Sequence, residues 1–573
     1  MQRLYTKEGR EVPETPWARY PRPQMAREDW LCLNGLWDLR YGAVTASVRV
    51  PFCPESLLSG VAEPPRIGER MTYSRSFSVP EVWAGKRVLL HFGAVMRDAV
   101  VSVNGHELCR NQNGYLPFSA EVTEVLRPGE NELCVTVVND LDPRFPWGKQ
   151  RVERGGMWYT PCSGIWQTAW VEPVPETYVR SLRITCGADW AKIEASGVQD
   201  GEITLTDGQT FPLRGGRACI ELEAPRLWSP EDPYLYHFTL QSGEDRVNSY
   251  FALRMLTTET VNGIPRLCLN GKPYFFNGLL DQGYWSDGLY TPAAPECYAQ
   301  DILAMKQLGF NTLRKHIKIE PEQFYYDCDR LGMVVFQDMV NNGEYRFVRD
   351  TLTPTLRLTR QSDERRNADT ETRNCFLEAM EATVRQLGNH PSICLWTIFN
   401  EGWGQFCADS AYLRLKTLDA SRFVDSTSGW FRQRRSDVES LHIYFGRLRL
   451  GKERRPQLLS EFGGYVWKLP AHSFNTEKTY GYRIYRTRAA FVSALQRLYR
   501  SLVPLVREGL CGAIYTQVSD VEDETNGLLT FDRAVCKVQP EELRALASAL
   551  TAALETTVDR TDPAVKLKPE ENP

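Results

Sequence analysis

The chain has 573 residues, with 68 Lys and Arg against 72 Asp and Glu and a formal charge of −4. So even a balance gives no reason to expect nucleic acid or an anionic membrane as the main partner. A hydrophobic share of 42% beside 24% charged residues rules out wholesale disorder. At roughly 150 residues per domain the length predicts three or four domains. No run approaches the ~18 apolar residues of a membrane helix, and Met1 to Glu8 carries no apolar stretch of a secretory leader. The 15 cysteines are scattered, several between apolar neighbours (Cys32, Cys134, Cys268, Cys394), with no C-x-x-C pair. That usage predicts reduced, buried thiols in a cytoplasmic protein and no zinc site. Fifteen Trp and 25 Tyr mostly serve cores, yet flat amphipathic rings also stack on the apolar faces of sugars.

From about residue 30 to 174 short β-runs alternate with turns, as in Arg87–Phe92, Ala99–Val103 and Leu133–Val138. Asn104-Gly105 after such a run is a hairpin signal, and the span from residue 1 to 174 is expected to be a jelly-roll β-sandwich. Residues 175–258 continue with strands such as Ser181–Thr185 and Tyr236–Leu240, suiting an immunoglobulin-like β-sandwich. From 259 to 573 strand and helix alternate. Eight candidate strands run Tyr274–Leu279, Asn311–Lys315, Met333–Gln337, Ile393–Phe399, Phe423–Ser426, Ser440–Tyr444, Leu458–Glu461 and Cys511–Gln517. Amphipathic stretches such as Ala299–Leu308 and Phe376–Leu387 lie between them. Eight β-then-α units predict a (β/α)8 TIM barrel. The long charged stretch from Asn341 to Pro391 reads as an inserted loop plus a helix, and Asp562 to Pro573 as a frayed tail. No Gly-rich phosphate loop stands in strand–loop–helix context, which argues against nucleotide cofactors.

A barrel of this kind carries its catalytic groups at the C-terminal ends of its strands. Strand four runs into Asn400-Glu401, and strand seven into Glu461. Two carboxylates facing each other across the mouth suit glycosidic hydrolysis, one protonated to serve the leaving oxygen and one ionised to attack the anomeric carbon. No His partners stand beside them in a metal-ligand spacing, so no metal is expected. Each dipeptide alone is a weak signal; the weight comes from both ending a barrel strand. The other strand ends are polar or aromatic too: Asp281-Gln282 and Trp285, Arg314-Lys315-His316, Asp338, His442-Ile443-Tyr444, and Gln517, Asp520 and Glu522. A barrel rim is polar in any case, but this mixture suits a polyhydroxylated ligand.

The chain resembles glycoside hydrolase family 2, the group of β-galactosidases, β-glucuronidases and β-mannosidases, over nearly its whole length. Trp30 to Trp37, Gly93 to Gly105, Ser163-Gly164-Ile165-Trp166, Leu227 to Glu231, Gly388 to Glu401 and Ser460 to Gly464 resemble that family's motifs in order. The resemblance implies that Glu461 is the nucleophile and Glu401 the acid/base, with retention and carboxyls roughly 5–5.5 Å apart. It further implies that Asn400 bonds the sugar 2-hydroxyl, that Tyr444 orients Glu461, and that Arg314 keeps Glu461 ionised. The sequence departs from the pattern around His316, where the spacing from Arg314 is shortened, and near Asp281, where the His-Glu of β-galactosidases is replaced. The Trp many members carry after strand eight is missing. The Asn-x-Lys that grips a glucuronide carboxylate has no clear match, and Glu524 would repel such a group. The expectation is a retaining exo-β-glycosidase without cofactor, acting on a small carbohydrate or glycoconjugate, first of all a β-galactoside. The alternatives are a β-glucuronidase, a β-mannosidase or an arabinopyranosidase and, in another class, a non-catalytic carbohydrate-binding protein. Asp281, Trp285, Trp403, Trp430 and Glu524 are the candidates to face the sugar's 4- and 6-hydroxyls. A homo-oligomer stays open.

Overall fold

The computed structural model describes residues 1–353 and 362–558; the expected C-terminal tail lies outside them. The first sandwich packs a four-stranded sheet against a six-stranded one. The strand Arg87–Phe92 forms as read, and Asp98–Val103 pairs antiparallel with His106–Asn111. Between those two strands Asn104 and Gly105 take φ of 50° and 82°, the left-handed pair that a two-residue hairpin turn requires. Alternate side chains of Glu130–Val138 point inward, so Leu133, Val135 and Val137 join Trp37, Tyr73 and Val101 in one core. The second sandwich packs a three-stranded and a four-stranded sheet around Ile193, Ile203, Ile220 and Leu240.

The barrel is a parallel eight-stranded sheet: β1 (Phe276–Asp281), β2 (Thr312–Lys315), β3 (Val334–Asp338), β4 (Ile393–Asn400), β5 (Phe423–Ser428), β6 (Glu439–Ile443), β7 (Gln457–Phe462) and β8 (Leu510–Tyr515). Its spatial order is β5-β4-β3-β2-β1-β8-β7-β6. No ladder joins β5 to β6. That seam is held by the Asp437 amide on the Val424 carbonyl (2.9 Å), the Val424 amide on the Asp437 carboxylate (2.9 Å) and the Ser440 hydroxyl on Asp425 (2.5 Å). Phe276, Phe336, Leu395, Phe423, Leu458 and Ile514 fill the interior, and Trp228 of the second sandwich joins the same cluster.

Three expectations need correction. The strand boundaries shift by up to two residues, so that β1 ends at Asp281 rather than Leu279. Eight strands form, but among the described residues no helix stands between β5 and β6 or between β6 and β7; residues 429–438 and 444–456 run there as irregular chain. The first twenty residues do not belong to the sandwich core but lie along the barrel. Thr6 bonds Asp287 through its amide (2.7 Å) and hydroxyl (2.6 Å), and Trp17 donates to the Pro292 carbonyl (2.8 Å).

The contacts that join the domains include the following two. Arg27 bonds both oxygens of Asp245 (2.9 and 2.8 Å) and the Val179 carbonyl (2.8 Å) in the second sandwich, and Glu172 (3.3 Å) in the first. The segment 139–163 leaves the first sandwich and crosses the barrel mouth. Trp147 donates to the carbonyls of Asn341 and Gly343 beyond β3, and the Thr160 amide to Glu522 beyond β8.

Candidate active site

β4 delivers Asn400 as its last residue, and the chain then turns sharply at Glu401, whose φ is +52°. A non-glycine residue in this region is uncommon and marks an enforced conformation. β7 carries Glu461 one residue before its end. The two carboxylates meet over the mouth with an oxygen of each within 4.8 Å of the other, the close spacing of a retaining pair.

Each carboxylate has its own environment. Glu461 accepts from Arg314 Nη1 (3.1 Å) and from the Tyr444 hydroxyl. Arg314 also binds Asp338 (3.0 Å), the Ser460 carbonyl (3.0 Å) and Asn400 Oδ1 (2.8 Å). Its fork therefore fixes three strand ends in one geometry. Burial alone would raise the Glu461 pKa, but His442, Arg314, His316 and the Tyr444 hydroxyl together hold it well below the usual carboxylate range. At Glu401 burial prevails and the charge of Glu461 adds to it, so its pKa is raised, against the opposing pull of His442 and Lys149. One carboxyl is biased to keep its proton and the other to lose it.

Asn400 Nδ2 is buried with no partner among the described residues. Its oxygen is taken by Arg314, so the amide offers a free donor beside both glutamates, which fits a sugar hydroxyl. His316 bonds Asp338 (2.7 Å), and burial and the Lys149 charge lower its pKa to about 4. It lies at the edge of the pair.

Trp403 lies in the wall next to Glu401. It stacks on Trp158 (5.2 Å between centroids), which stacks in turn on Trp147 (5.5 Å). Trp430 stands 6.0 Å from the His442 ring on the turn after β5. Glu524 is buried, accepts from the Tyr159 hydroxyl and from Asn526 (3.0 Å), and acts electrostatically on Tyr480 and Tyr482, as Glu401 does. Asp281 and Trp285 are the corrections. Asp281 binds Lys315 (2.6 Å), and Trp285 lies under the Arg533 guanidinium (4.1 Å) and edge-on to Tyr298. Both line a small gap with Met305 and Phe324, between the barrel wall and its outer helices. They turn their backs on the mouth.

Two residues were missed as site members. His442, named in the sequence only as a polar strand end, bridges the pair: Nδ1 lies 2.9 Å from Glu401 and Nε2 3.6 Å from Glu461. The ring fits because Gly429 has no side chain; a Cβ there would sit 2.7 Å from it. Lys149 comes from the sandwich segment over the mouth. It is 7% exposed, with Nζ 5.7 Å from the rings of both Tyr159 and Trp403. Glu401, His442 and Glu461 are also the group among the described residues whose ligand atoms converge enough to hold a cation. Both Glu461 oxygens and one of Glu401 are engaged by Arg314, Tyr444 and His442, contrary to the expectation that no histidine stands beside the pair.

The fold and site define a barrel enzyme scaffold with two facing carboxylates at its rim, flanked by two β-sandwiches. Family models agree. "Glycosyl hydrolases family 2, TIM barrel domain" matches residues 262–450, "Glycosyl hydrolase 2 galactose-binding domain-like" residues 65–199, and "Glycosyl hydrolases family 2" residues 180–254. The chain belongs to glycoside hydrolase family 2. It is 29% identical over 462 residues to a β-galactosidase of Aeromonas hydrophila, covering 72% of this chain and 42% of the relative. It is 25% identical over 391 residues to a β-glucuronidase of Paenibacillus borealis, covering 62% of each. It thus spans less than two thirds of the length of these curated relatives. Among solved structures, a β-glucuronidase of an uncultured Clostridium sp. superposes with a TM-score of 0.70 at 19% identity, covering 94% of this chain and 99% of the other. A β-galacturonidase of Eisenbergiella tayi superposes at 0.67 and 20% identity, covering 92% and 97%.

Proposed function

We propose that the protein is a retaining exo-β-glycosidase that removes terminal β-linked sugars by double displacement, first of all β-galactosides. The observation that carries this reading is the close carboxylate pair with opposed pKa shifts. Glu461 attacks the anomeric carbon while Glu401 gives its proton to the leaving oxygen. Glu401, now ionised, then takes a proton from water as that water displaces Glu461. Asn400 holds the 2-hydroxyl, and Tyr444 and Arg314 orient the attacking oxygen. The segment carrying Lys149 crosses the mouth and is bonded beyond β3 and β8, which favours a chain end over the middle of a polymer. The test is the anomer first released from 4-nitrophenyl β-D-galactoside, followed by NMR before mutarotation. The β-anomer is expected, and α as the first product overturns the mechanism.

A second reading, a β-uronide such as a galacturonide, has one specific support. Among the described residues Lys149 has no carboxylate within 4.0 Å of Nζ, although it is buried beside the pair. A ligand carboxylate would supply that partner. Glu524, which the sequence reading set against a uronide, is already tied to Tyr159 and Asn526. Comparing 4-nitrophenyl galactoside, galacturonide and glucuronide on the wild type and Lys149→Met separates the two. Under the uronide reading Lys149→Met loses uronide turnover selectively; equal losses on all three reject it.

A further inference from the structure

A cavity of about 810 Å³ opens where the second sandwich meets the barrel. One wall is the strand Ser181–Cys186. The other is made by the C-terminal ends of the helices Thr370–Leu387 and Ala408–Leu418 and the turns that follow them. Those turns lead into β4 and β5, so the cavity lies at the N-terminal end of the barrel. The eight residues of β4, at about 3.3 Å each, separate it from the carboxylate pair. Its volume is that of an ordinary small-molecule site.

The charge of this cavity is one-sided. Arg183, Arg254, Arg385 and Arg422 line it, against Asp419 as the one carboxylate among its lining residues. Arg422 is paired with Asp419 (2.8 Å) and Arg385 with Glu381 (2.6 Å). Arg254 and Arg183 have no carboxylate within 4.0 Å among the described residues. Arg254 is 7% exposed. Its Nε donates to the Pro391 carbonyl (2.6 Å) and its Nη2 to the Ile393 carbonyl (2.7 Å), while Nη1 makes no hydrogen bond among the described residues. Burial and the neighbouring Arg422 charge hold its pKa below the usual arginine value. A buried cation in this position is stabilised by any anion that reaches it. Arg183 spans the gap from the sandwich side, its Nη2 donating to the Leu418 carbonyl (3.0 Å). The wall beside the guanidinium groups is apolar, with Leu182, Ile184, Val384 and Leu418, and the Trp190 ring stands there 38% exposed.

We propose that this junction is a second ligand site, for a small organic carboxylate with an apolar body. The carboxylate meets the open donors of Arg254, and the body lies along the apolar wall towards Trp190. A small inorganic anion supplies the charge but leaves the apolar wall in water. A neutral apolar molecule covers the wall but leaves the guanidinium unpaired. Only a molecule with both parts gains from both. The site is independent of the glycosidase reading.

Titration calorimetry on the full chain tests it with three probes: 2-naphthoate, the neutral 2-naphthalenemethanol, and acetate. The wild type is expected to bind naphthoate at least about tenfold more tightly than either of the others. Arg254→Met should remove the preference over the alcohol, and Arg254→Lys should restore part of it. Arg183 and Trp190 are exposed, so their variants carry the test even where Arg254→Met fails to fold. Arg183→Met should weaken naphthoate by about two- to fivefold, and Trp190→Ala by about three- to tenfold. Lys149→Met, at the barrel mouth, should leave naphthoate binding unchanged. Absence of naphthoate binding at millimolar concentration, or equal binding of naphthoate and the alcohol, overturns the site. So does affinity that is lost in Lys149→Met but kept in Arg183→Met and Trp190→Ala, since the probe then sits in the mouth. None of these outcomes bears on whether the protein cleaves glycosides.

Discussion

At the scale of single residues, the two glutamates are distinguished by what surrounds them, and their roles can be told apart by rescue. Replacing Glu461 with Gly should lower kcat by at least about 10⁴-fold; added azide should then restore turnover with inversion, giving the α-azide. Replacing Glu401 with Gly should cost less with activated aryl leaving groups, about 10²–10⁴-fold for the lost proton transfer, and azide should give the β-azide. Swapped stereochemistry would exchange the assignments. The pH profile of kcat/KM follows from the opposed shifts. Activity appears as Glu461, held low, ionises, and disappears as Glu401, held high, loses its proton. Arg314→Met removes a cation that lowers Glu461, so the acid limb should move to higher pH. Lys149→Met removes one that lowers Glu401, so the alkaline limb should move to higher pH. Movement of either limb the other way contradicts the charge reading. The meeting of the two carboxylates was legible in the sequence, because Glu401 and Glu461 sit where barrel strands end. Asp281 and Trp285 were misread for a reason of geometry. Strand side chains alternate between faces, and Asp281 pairs with Lys315, the outward neighbour of inward Arg314. Being at a strand end fixes the height of a residue in the barrel but not the face it shows.

At the scale of elements, the turn after β5 and the open seam beside it determine how well the pair is held. Gly429 has a φ of +86°, and a Cβ there would strike the His442 ring. Gly429→Ala should therefore displace the bridging imidazole and lower kcat/KM by about 100-fold, the cost of roughly an ångström of misplacement, with circular dichroism unchanged. An active Gly429→Ala would show that the bridge is dispensable. Asp437 bonds the Val424 amide (2.9 Å), the Tyr412 hydroxyl (2.6 Å) and Lys416 (2.6 Å) along the unpaired seam. Asp437→Ala should cost about 1–3 kcal/mol by leaving those groups unmet, seen as a lower urea midpoint. The hairpin at Asn104-Gly105 and the eight strands could be read from turn chemistry and alternation. The missing helices around β6 could not, since the connecting loops carry no pattern of their own.

At the scale of the molecule, the two sandwiches are joined by buried charge. Arg27 is held by Asp245 on one side and Glu172 on the other, and Glu172 is fully buried among Arg22, His91 and Arg27. Burial works to raise the Glu172 pKa, but Arg22, His91 and Arg27 outweigh it and hold it well below the usual range. The stabilisation this provides is therefore complete above an unfolded carboxylate's pKa of about 4.3 and fades as pH falls below it. Arg27→Met should lower stability by about 3–5 kcal/mol, because it strands buried carboxylates rather than merely losing a pair. Calorimetry at neutral pH should show an earlier transition, and an unchanged one would mean the domains are held elsewhere. Lys149 belongs to the same scale. In the sequence it is one charge in a polar stretch, and only the path of segment 139–163 across the barrel makes it part of the site.

That path has an optical consequence. It stacks Trp147 on Trp158 and Trp158 on Trp403, a row of three indoles that runs from one domain to another and ends two residues from Glu401. Indoles this close couple as chromophores, so the near-ultraviolet dichroism and emission of the protein carry a built-in signal for the pocket. Part of the Trp content that composition alone could assign only to cores thereby becomes a native reporter, readable without a label, of whether the sandwich is seated on the barrel and whether a ligand lies beside it.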